Sequence, residues 1–448
     1  MKNFTNFLLA CLTLTGVSAS AQWSTATMIS GRSQLAAASA GDKAMFASGI
    51  GMFGGAKKDI DTYNSTSGTW ATGLLPSGRT NLAGASTGSK IVFAGGMDDW
   101  ILATYDAVDI YDVASGGYSS ATLSAARTKL AGAGAGSKIV FAGGVNDGLG
   151  VVYSTVDIYD TLTGAWSTAN LSVPRFSLCA ASAGTKIVFA GGTDYSGSVF
   201  NTVDIFDVST GLWSTSTLSE ARSNSAAAAS GTKIFIGGGI NAAGTASKVV
   251  DIYDITTGTW TVDSLSQARG FLSAASVGNN VFFAGGSNAA TTAVYNTVDI
   301  YDAVSSTWSA THLTTGRAMA AATSIGNKFM IAGGLTASGS AVNTIEIYSV
   351  SLTTGAIELH DEQQFSAYPN PVNKNSNYTL ELTSDNEEEA NIILYDVLGK
   401  AVSAEKHSLS KGDNKFEMQI PSTVLPGIYF VNIKTSSNSV KQKLLITE

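Results

Sequence analysis

The chain is short of several residue types, and each shortage narrows what it can do. Only 13% of its 448 residues are charged, and the formal net charge is −8. Lys and Arg number 17 against 21 Asp and Glu over residues 22–357, and 8 against 13 over 358–448. Neither part is built to neutralise a phosphate backbone, so no nucleic-acid partner is expected. There are three histidines, His312, His360 and His407, which leaves little material for imidazole ligands or a histidine base. Beyond the extreme N-terminus no segment approaches the ~20 apolar residues of a membrane helix. Cysteine is equally scarce: Cys11 and Cys179.

What is abundant is apolar surface, at 44% of residues, and glycine, at 48 positions, the mark of a folded chain with many turns. The N-terminus, MKNFTNFLLACLTLTGVSASAQW, has a lysine, an apolar run through Leu14 and small residues ending Ala19-Ser20-Ala21. It reads as a signal peptide over residues 1–21, cut before Gln22, and so points to export. Reading Leu8-Leu9-Ala10-Cys11 as a lipoprotein box would leave about four apolar residues before Cys11, against the roughly seven a signal core needs. After cleavage Cys179 has no partner within the chain, and its SLCAASAG setting is that of a small buried side chain, not a reactive thiol.

The chain repeats. KIVFAGG occurs at 90, 138 and 186, with looser copies at 43, 233, 280 and 328. An arginine stands 17 residues before the last glycine of each: Arg32, Arg79, Arg127, Arg175, Arg222, Arg269 and Arg317. Downstream come DTYN at 61, DIYD at 109, 157, 251 and 299, DIFD at 204 and EIYS at 346. Nine residues after each acid but the last follows an aromatic: Trp70, Tyr118, Trp166, Trp213, Trp260 and Trp308. There are seven copies at a period of 47–48 residues.

Each copy parses into four strands. The first is almost all Ala, Gly and Ser; the second is a continuous apolar run; the third alternates; the fourth begins at the aromatic. Turns such as GSK and DTLTG separate them. Four antiparallel strands at this period predict an all-β fold, a β-propeller with small residues at the axis and aromatics in the outer wedge. Asp157 and Asp160, three residues apart, raise the question of a working carboxylate pair. On a strand they point to opposite faces, and Asp160 is Asn64, Asp112, Asp207, Asp254, Asp302 or Ser349 in the other copies, all able to accept a turn N–H. They read as scaffold.

The succession of arginine, strand ending Gly-Gly, tyrosine-aspartate and tryptophan resembles the kelch repeat over residues 23 to about 357. The resemblance implies a seven-bladed propeller over 22–357. Trp23 precedes Arg32 by the spacing of Trp70 to Arg79, while the seventh copy lacks its tryptophan and has Ile357 near that place. The strand around Trp23 is therefore expected to complete the last blade and leave no edge unpaired. The equal numbers of repeat arginines and acids predict buried or half-buried Arg–acid contacts.

Composition changes at Glu358. A linker is expected over 358–367, then a small antiparallel, Ig-like β-sandwich over 368–448, from the runs NYTLEL, NIILYDV, KFEMQI, GIYFVNI and KLLI. Tyr368-Pro369-Asn370-Pro371, the stretch Leu394 to Lys400 with Gly399 and Lys400, Pro426 to Val431 with Gly427 and Tyr429, and the closing Lys443 to Ile446 resemble the type A sorting domain of type IX secretion cargo in Bacteroidetes. The resemblance implies contact with that machinery, passage across the outer membrane and removal of the domain, with release or surface attachment. The other reading is a generic sandwich serving as a carbohydrate-binding or docking module.

Chemistry is harder to assemble. Within the kelch resemblance, a galactose-oxidase-type copper centre would need histidine and tyrosine ligands and a cysteine crosslinked to tyrosine, and the repeat region offers one histidine. Sialidases read a carboxylate with clustered arginines, but these arginines hold one repeat position each. No catalytic triad, metal cluster or phosphate loop emerges, and no cofactor is expected. Recognition is expected where copies differ. The loops after Gly-Gly supply Asp98, Asp99, Trp100, Asn146, Asp147, Asp194 and Tyr195. Two residues past each arginine stand Gln34, Asn81, Lys129, Ser177, Asn224, Phe271 and Met319, of which Gln34, Asn81 and Lys129 join the candidates. Aromatics with amides and carboxylates suit sugars or peptides. The expectation is a secreted or surface-displayed, non-catalytic binding propeller for a glycan or protein. The alternatives are an extracellular carbohydrate-active enzyme, marked by two carboxylates about 5–9 Å apart in the mouth, and a matrix protein with neither feature.

Overall fold

The computed structural model describes residues 22–350 and 365–448, apart from 375, 385, 397–400, 423 and 436–438. The expected signal peptide, Cys11, Ile357, His360, Gly399 and Lys400 lie outside the described residues. The chain divides into two compact units, Met1–Ser351 and Leu352–Glu448. Among the described residues no helix is long and apolar enough to cross a membrane.

In the first unit the described residues form seven four-stranded antiparallel sheets. The third sheet shows the plan: Ala131–Ala135, Lys138–Ala142, Thr155–Asp160 and Trp166–Asn170 lie side by side in that order. Register follows the repeat, with Val140 opposite both Ala133 and Ile158. The first strand of each sheet lies beside the first strands of its two neighbours, and the series returns from the seventh sheet to the first. Strands converging on one axis need small side chains. A Cβ at Gly134 would stand 2.2 Å from the Ser86 carbonyl oxygen of the preceding sheet.

Second strands are buried almost end to end because sheets cover both of their faces. The third strands go further than their alternation suggests, since Asp157 and Tyr159 are buried along with Val156 and Ile158. Apolar clusters therefore run between sheets: Val140, Val156 and Ile158 of the third pack with Ile187, Phe189 and Phe206 of the fourth. Outermost strands are largely exposed and anchored by their aromatic, as where Trp166 stacks on Tyr159 at 4.9 Å.

The ring closes through the N-terminus. Gln22–Thr27 pairs antiparallel with Thr344–Ser349, setting Trp23 opposite Tyr348, and so supplies the fourth strand the seventh copy lacks. Trp23 meets Tyr348 edge-on at 5.0 Å.

The seven arginines are wholly buried, and each meets the acid of its own repeat. Arg32–Asp61 and Arg127–Asp157 are at 2.6 Å, Arg175–Asp204 and Arg269–Asp299 at 2.7 Å, and Arg317–Glu346 at 2.5 Å. Arg79 pairs with Asp109 and Arg222 with Asp251 in the same way. The second carboxylate oxygen accepts a backbone N–H from the turn ahead of the arginine, as from Ser124 to Asp157 at 3.0 Å. The second copy departs because Pro76 occupies that place and has no N–H to give. Burial there pushes the Asp109 carboxyl above its ordinary range, against the pull of Arg79.

The arginine backbone serves a second purpose. Its carbonyl accepts the N–H of the preceding sheet's second glycine, as Arg175 does from Gly144 at 2.9 Å. A Cβ at Gly143 would sit 2.5 Å from that oxygen, and both glycines have positive φ, so the pair is glycine for contact and conformation together. Gly334 donating to Arg32 at 3.0 Å closes the series.

In the second unit Phe365–Tyr368, Asn377–Ser384 and Gly412–Gln419 form one sheet. Val372–Asn373, Ser439–Thr447, Gly427–Lys434, Glu388–Tyr395 and Ala401–Leu409 form the other. Leu380, Ile392, Leu394, Val431, Leu444 and Ile446 are core residues. Three strands were not expected, the two-residue Val372–Asn373 among them. Phe365–Tyr368 begins inside the expected linker, and Ala401–Leu409 is a mostly exposed edge strand with no apolar period to betray it. Asn370 ties the Tyr-Pro-Asn-Pro segment to the last strand, donating to the Lys443 carbonyl at 2.7 Å and accepting the Leu445 N–H at 2.8 Å.

Asp157 and Asp160 make opposite predictions. Asp160 takes the Leu162 N–H at 3.0 Å and the Lys138 ammonium at 2.7 Å, in a half-buried pair at the hairpin. Asp157→Asn strands a buried guanidinium, and denaturant unfolding followed by tryptophan fluorescence is expected to show a loss of about 3–5 kcal/mol. Asp160→Asn copies Asn64 of the first repeat and is expected to leave the midpoint nearly unmoved. Equal losses would overturn this division of roles.

Candidate functional site

The positions two residues past the arginines come together. Gln34, Asn81, Lys129, Ser177, Asn224, Phe271 and Met319 all have left-handed backbone, φ between 52° and 56°. Each donates its N–H to the carbonyl of its counterpart in the preceding sheet, at 2.9–3.0 Å, and Gln34 donates to Met319, so the hydrogen bonds form a closed ring. Non-glycine residues pay roughly 1–2 kcal/mol for this conformation. Seven different sequences adopt it regardless, because buried arginine on one side and the inner strand on the other dictate the path. The backbone is fixed and the side chain is free to vary.

The ring rims a depression of about 550 Å³. Its floor is Leu35, Leu82, Leu130, Leu178 and Leu272, and its rim is amide-rich on one side and apolar at Phe271 and Met319. Asn81 Nδ2 and Thr80 Oγ1 both donate to Gln34 Oε1, at 2.9 and 2.7 Å. No aspartate or glutamate lines the depression.

The loop candidates divide. Lys129 reaches Asp147 at 3.1 Å, and Tyr195 donates its hydroxyl to the same carboxylate at 2.5 Å. Phe176 completes this group, 5.5 Å from the Tyr195 ring and under the Lys129 ammonium at 5.5 Å. Asp98, Asn146 and Asp194 each turn one side-chain oxygen onto their own loop: Asp98 accepts from Trp100 N at 2.8 Å, Asn146 from Leu149 N at 3.1 Å and Asp194 from Ser196 N at 2.9 Å. They shape loops. Asp99 is half-buried, and burial, then Asp98, push its carboxyl upward. Trp100 is 75% exposed and lies against Gly54 of the first sheet's loop.

Phe176 was missed. Its counterparts are Ser33, Thr80, Thr128, Ser223, Gly270 and Ala318, so an aromatic among small residues was the available signal. Among the described residues no three of His, Cys, Asp and Glu are grouped to hold a metal ion. Glu220 accepts from Asn241 and Ser247.

Two family descriptions match. The KLHDC2/KLHL20/DRC7 Kelch-repeats domain matches residues 129–334, and the Secretion system C-terminal sorting domain matches 366–447. The chain carries a kelch-repeat domain followed by a secretion sorting domain. No curated protein matches it. The kelch match begins at Lys129, yet an Arg–acid pair and a glycine N–H given to the next arginine's carbonyl are present in each of the two sheets before it. The sorting domain marks the chain for export by type IX secretion to the cell surface or the medium, and contains Tyr368, Pro369, Asn370, Pro371, Gly427, Tyr429 and Lys443.

Cys179 is buried on an inner strand of the kelch domain, and burial pushes its thiol up to about 12. Iodoacetamide at pH 8 is expected to leave it unmodified in the folded protein and to alkylate it after denaturation, read by intact mass. Rapid native labelling would show a reactive thiol instead.

Proposed function

We propose that the kelch domain is a non-catalytic binding module for an extracellular glycan or protein, held at the mouth ringed by Gln34, Asn81 and Lys129 and at the adjoining loops. One observation carries the reading: seven positions of one backbone conformation present six kinds of side chain, only asparagine recurring, around an open depression. That is what a scaffold fixing geometry while sequence sets specificity looks like. The carboxylate-free mouth weighs against a glycoside-cleaving pair, which needs two acids within about 10 Å of each other. Exposed Trp100 and Tyr195 beside it favour binding over an inert matrix role.

Export completes the reading. After signal-peptide removal the chain reaches the outer membrane, the sorting domain is cut away, and the propeller is released or attached to the surface.

Glycan and extracellular-protein arrays probed with the mature chain are expected to yield binding that falls at least tenfold in Asn81→Ala and Lys129→Ala. Binding indifferent to both, or turnover of any arrayed glycan, would overturn the reading. A chain lacking 366–448 is expected to stay within the cell envelope when surface and medium fractions are compared by mass spectrometry. Its appearance in the medium would show that export does not depend on that domain.

A further inference from the structure

The loops following Gly-Gly are unequal in a way the mouth is not. Phe53, Trp100, Ile101, Leu102, Leu149 and Tyr195 are all more than half exposed, and all stand on these loops in the first four sheets. The corresponding loops of the fifth to seventh sheets carry no exposed large hydrophobic residue. The exposed side chains belong to touching loops. Trp100 rests against Gly54, Gly148 approaches the Leu102 carbonyl, and Tyr195 bonds Asp147. They form one crest on one side of the mouth. Single exposed hydrophobics such as Leu162 and Val304 at the hairpin tips need no explanation; a continuous set does.

The crest is not made for sugar alone. Sugars use flat aromatic faces and hydrogen-bonding groups, whereas Ile101, Leu102 and Leu149 are branched aliphatics that offer neither. Aliphatic side chains flanking exposed aromatics are the material of protein-interface cores. Its charge is one-sided where the second and third sheets meet. Asp98, Asp99 and Asp147 gather there, and the one cation among them, Lys129, is spent on Asp147. Asp99 has no ion pair among the described residues. Lys57 and Lys58 follow the first-sheet loop, and among the described residues neither forms an ion pair with this group.

We propose that the crest is a protein-docking surface whose partner inserts apolar side chains between Trp100, Leu102 and Leu149 and sets a Lys or Arg against Asp99. The proposal rests on the binding reading above and deepens it by naming the partner's chemistry and by placing the principal contact beside the mouth instead of inside it.

The test pans a displayed library of random peptides against the mature chain, alongside a glycan array. Enriched peptides are expected to carry a basic residue among apolar ones. A synthetic copy of the most enriched is expected to bind at least tenfold more weakly to an Ile101→Ser, Leu149→Ser double variant and to Asp99→Asn. These side chains are solvent-facing or half-buried, so an unchanged melting temperature serves as the folding control. Peptides without basic residues, or affinity unchanged in both variants, would overturn the proposal. Loss confined to Asn81→Ala would overturn it too while leaving a mouth-binding module intact. Binding to glycans alone, lost in Trp100→Ala but kept in the double variant, would replace the protein partner with a sugar, and no binding of either kind would remove both readings.

Discussion

The buried arginine is what the rest of the first unit depends on. A guanidinium out of water is costly unless its charge and its donors are met. Here an acid two strands away in the same sheet meets the charge, and carbonyl oxygens such as that of Phe141 take further donors from Arg127. The same residue's backbone carbonyl takes an N–H from the preceding sheet. One side chain thus locks a sheet internally while its main chain locks that sheet to its neighbour. Because the arginine cannot shift without exposing an unpaired acid, the two residues that follow it cannot shift either. The left-handed turn at the mouth is a consequence of charge burial deeper in the sheet.

That coupling explains why closure matters for the mouth. The hydrogen-bonded ring is complete only because Gln34 donates to Met319, across residues almost 300 apart in sequence. The strand Gln22–Thr27 holds those two ends together by pairing with Thr344–Ser349. A ring left open at this seam would lose the sheet edge's pairing and one link of the mouth at once. The kelch match stops at Gly334 and starts at Lys129, but the geometry it describes requires the residues on both sides of it.

Repetition is what made the sequence legible. A buried pair met once in a sequence is indistinguishable from two surface charges, but seven arginines each 29 or 30 residues ahead of an acid can hardly each be solvated by chance. The same holds for the Asp160 position, whose substitutes Asn64 and Asp112 accept the same turn N–H groups. Features that occur once stayed obscure. That Asp98, Asn146 and Asp194 also hold their own loops through one oxygen each was hidden, because polarity in a loop does not reveal whether a side chain also folds back on its own backbone. Ile101, Leu102 and Leu149 passed unnoticed for the converse reason: apolar letters suggest burial until neighbouring loops show nothing covering them. The edge strand Ala401–Leu409 lacked a buried face and so lacked a period.

Symmetry and function pull in opposite directions here, and the fold separates them by distance from the arginine. Within two residues of it, backbone is identical in every copy and only side chains differ. Ten or more residues on, past Gly-Gly, loop length itself varies, because the next strand needs only its own acid to find the arginine again. A loop anchored at both ends by invariant contacts can change its middle without disturbing the ring. The crest occupies such loops in adjacent sheets, so its residues touch across sheet boundaries while none takes part in an Arg–acid pair. Selection on a partner can therefore act on one arc of the propeller, leaving the other arc and the closure untouched, and an asymmetric surface can arise on a ring in which every one of seven sheets keeps its own buried Arg–acid pair.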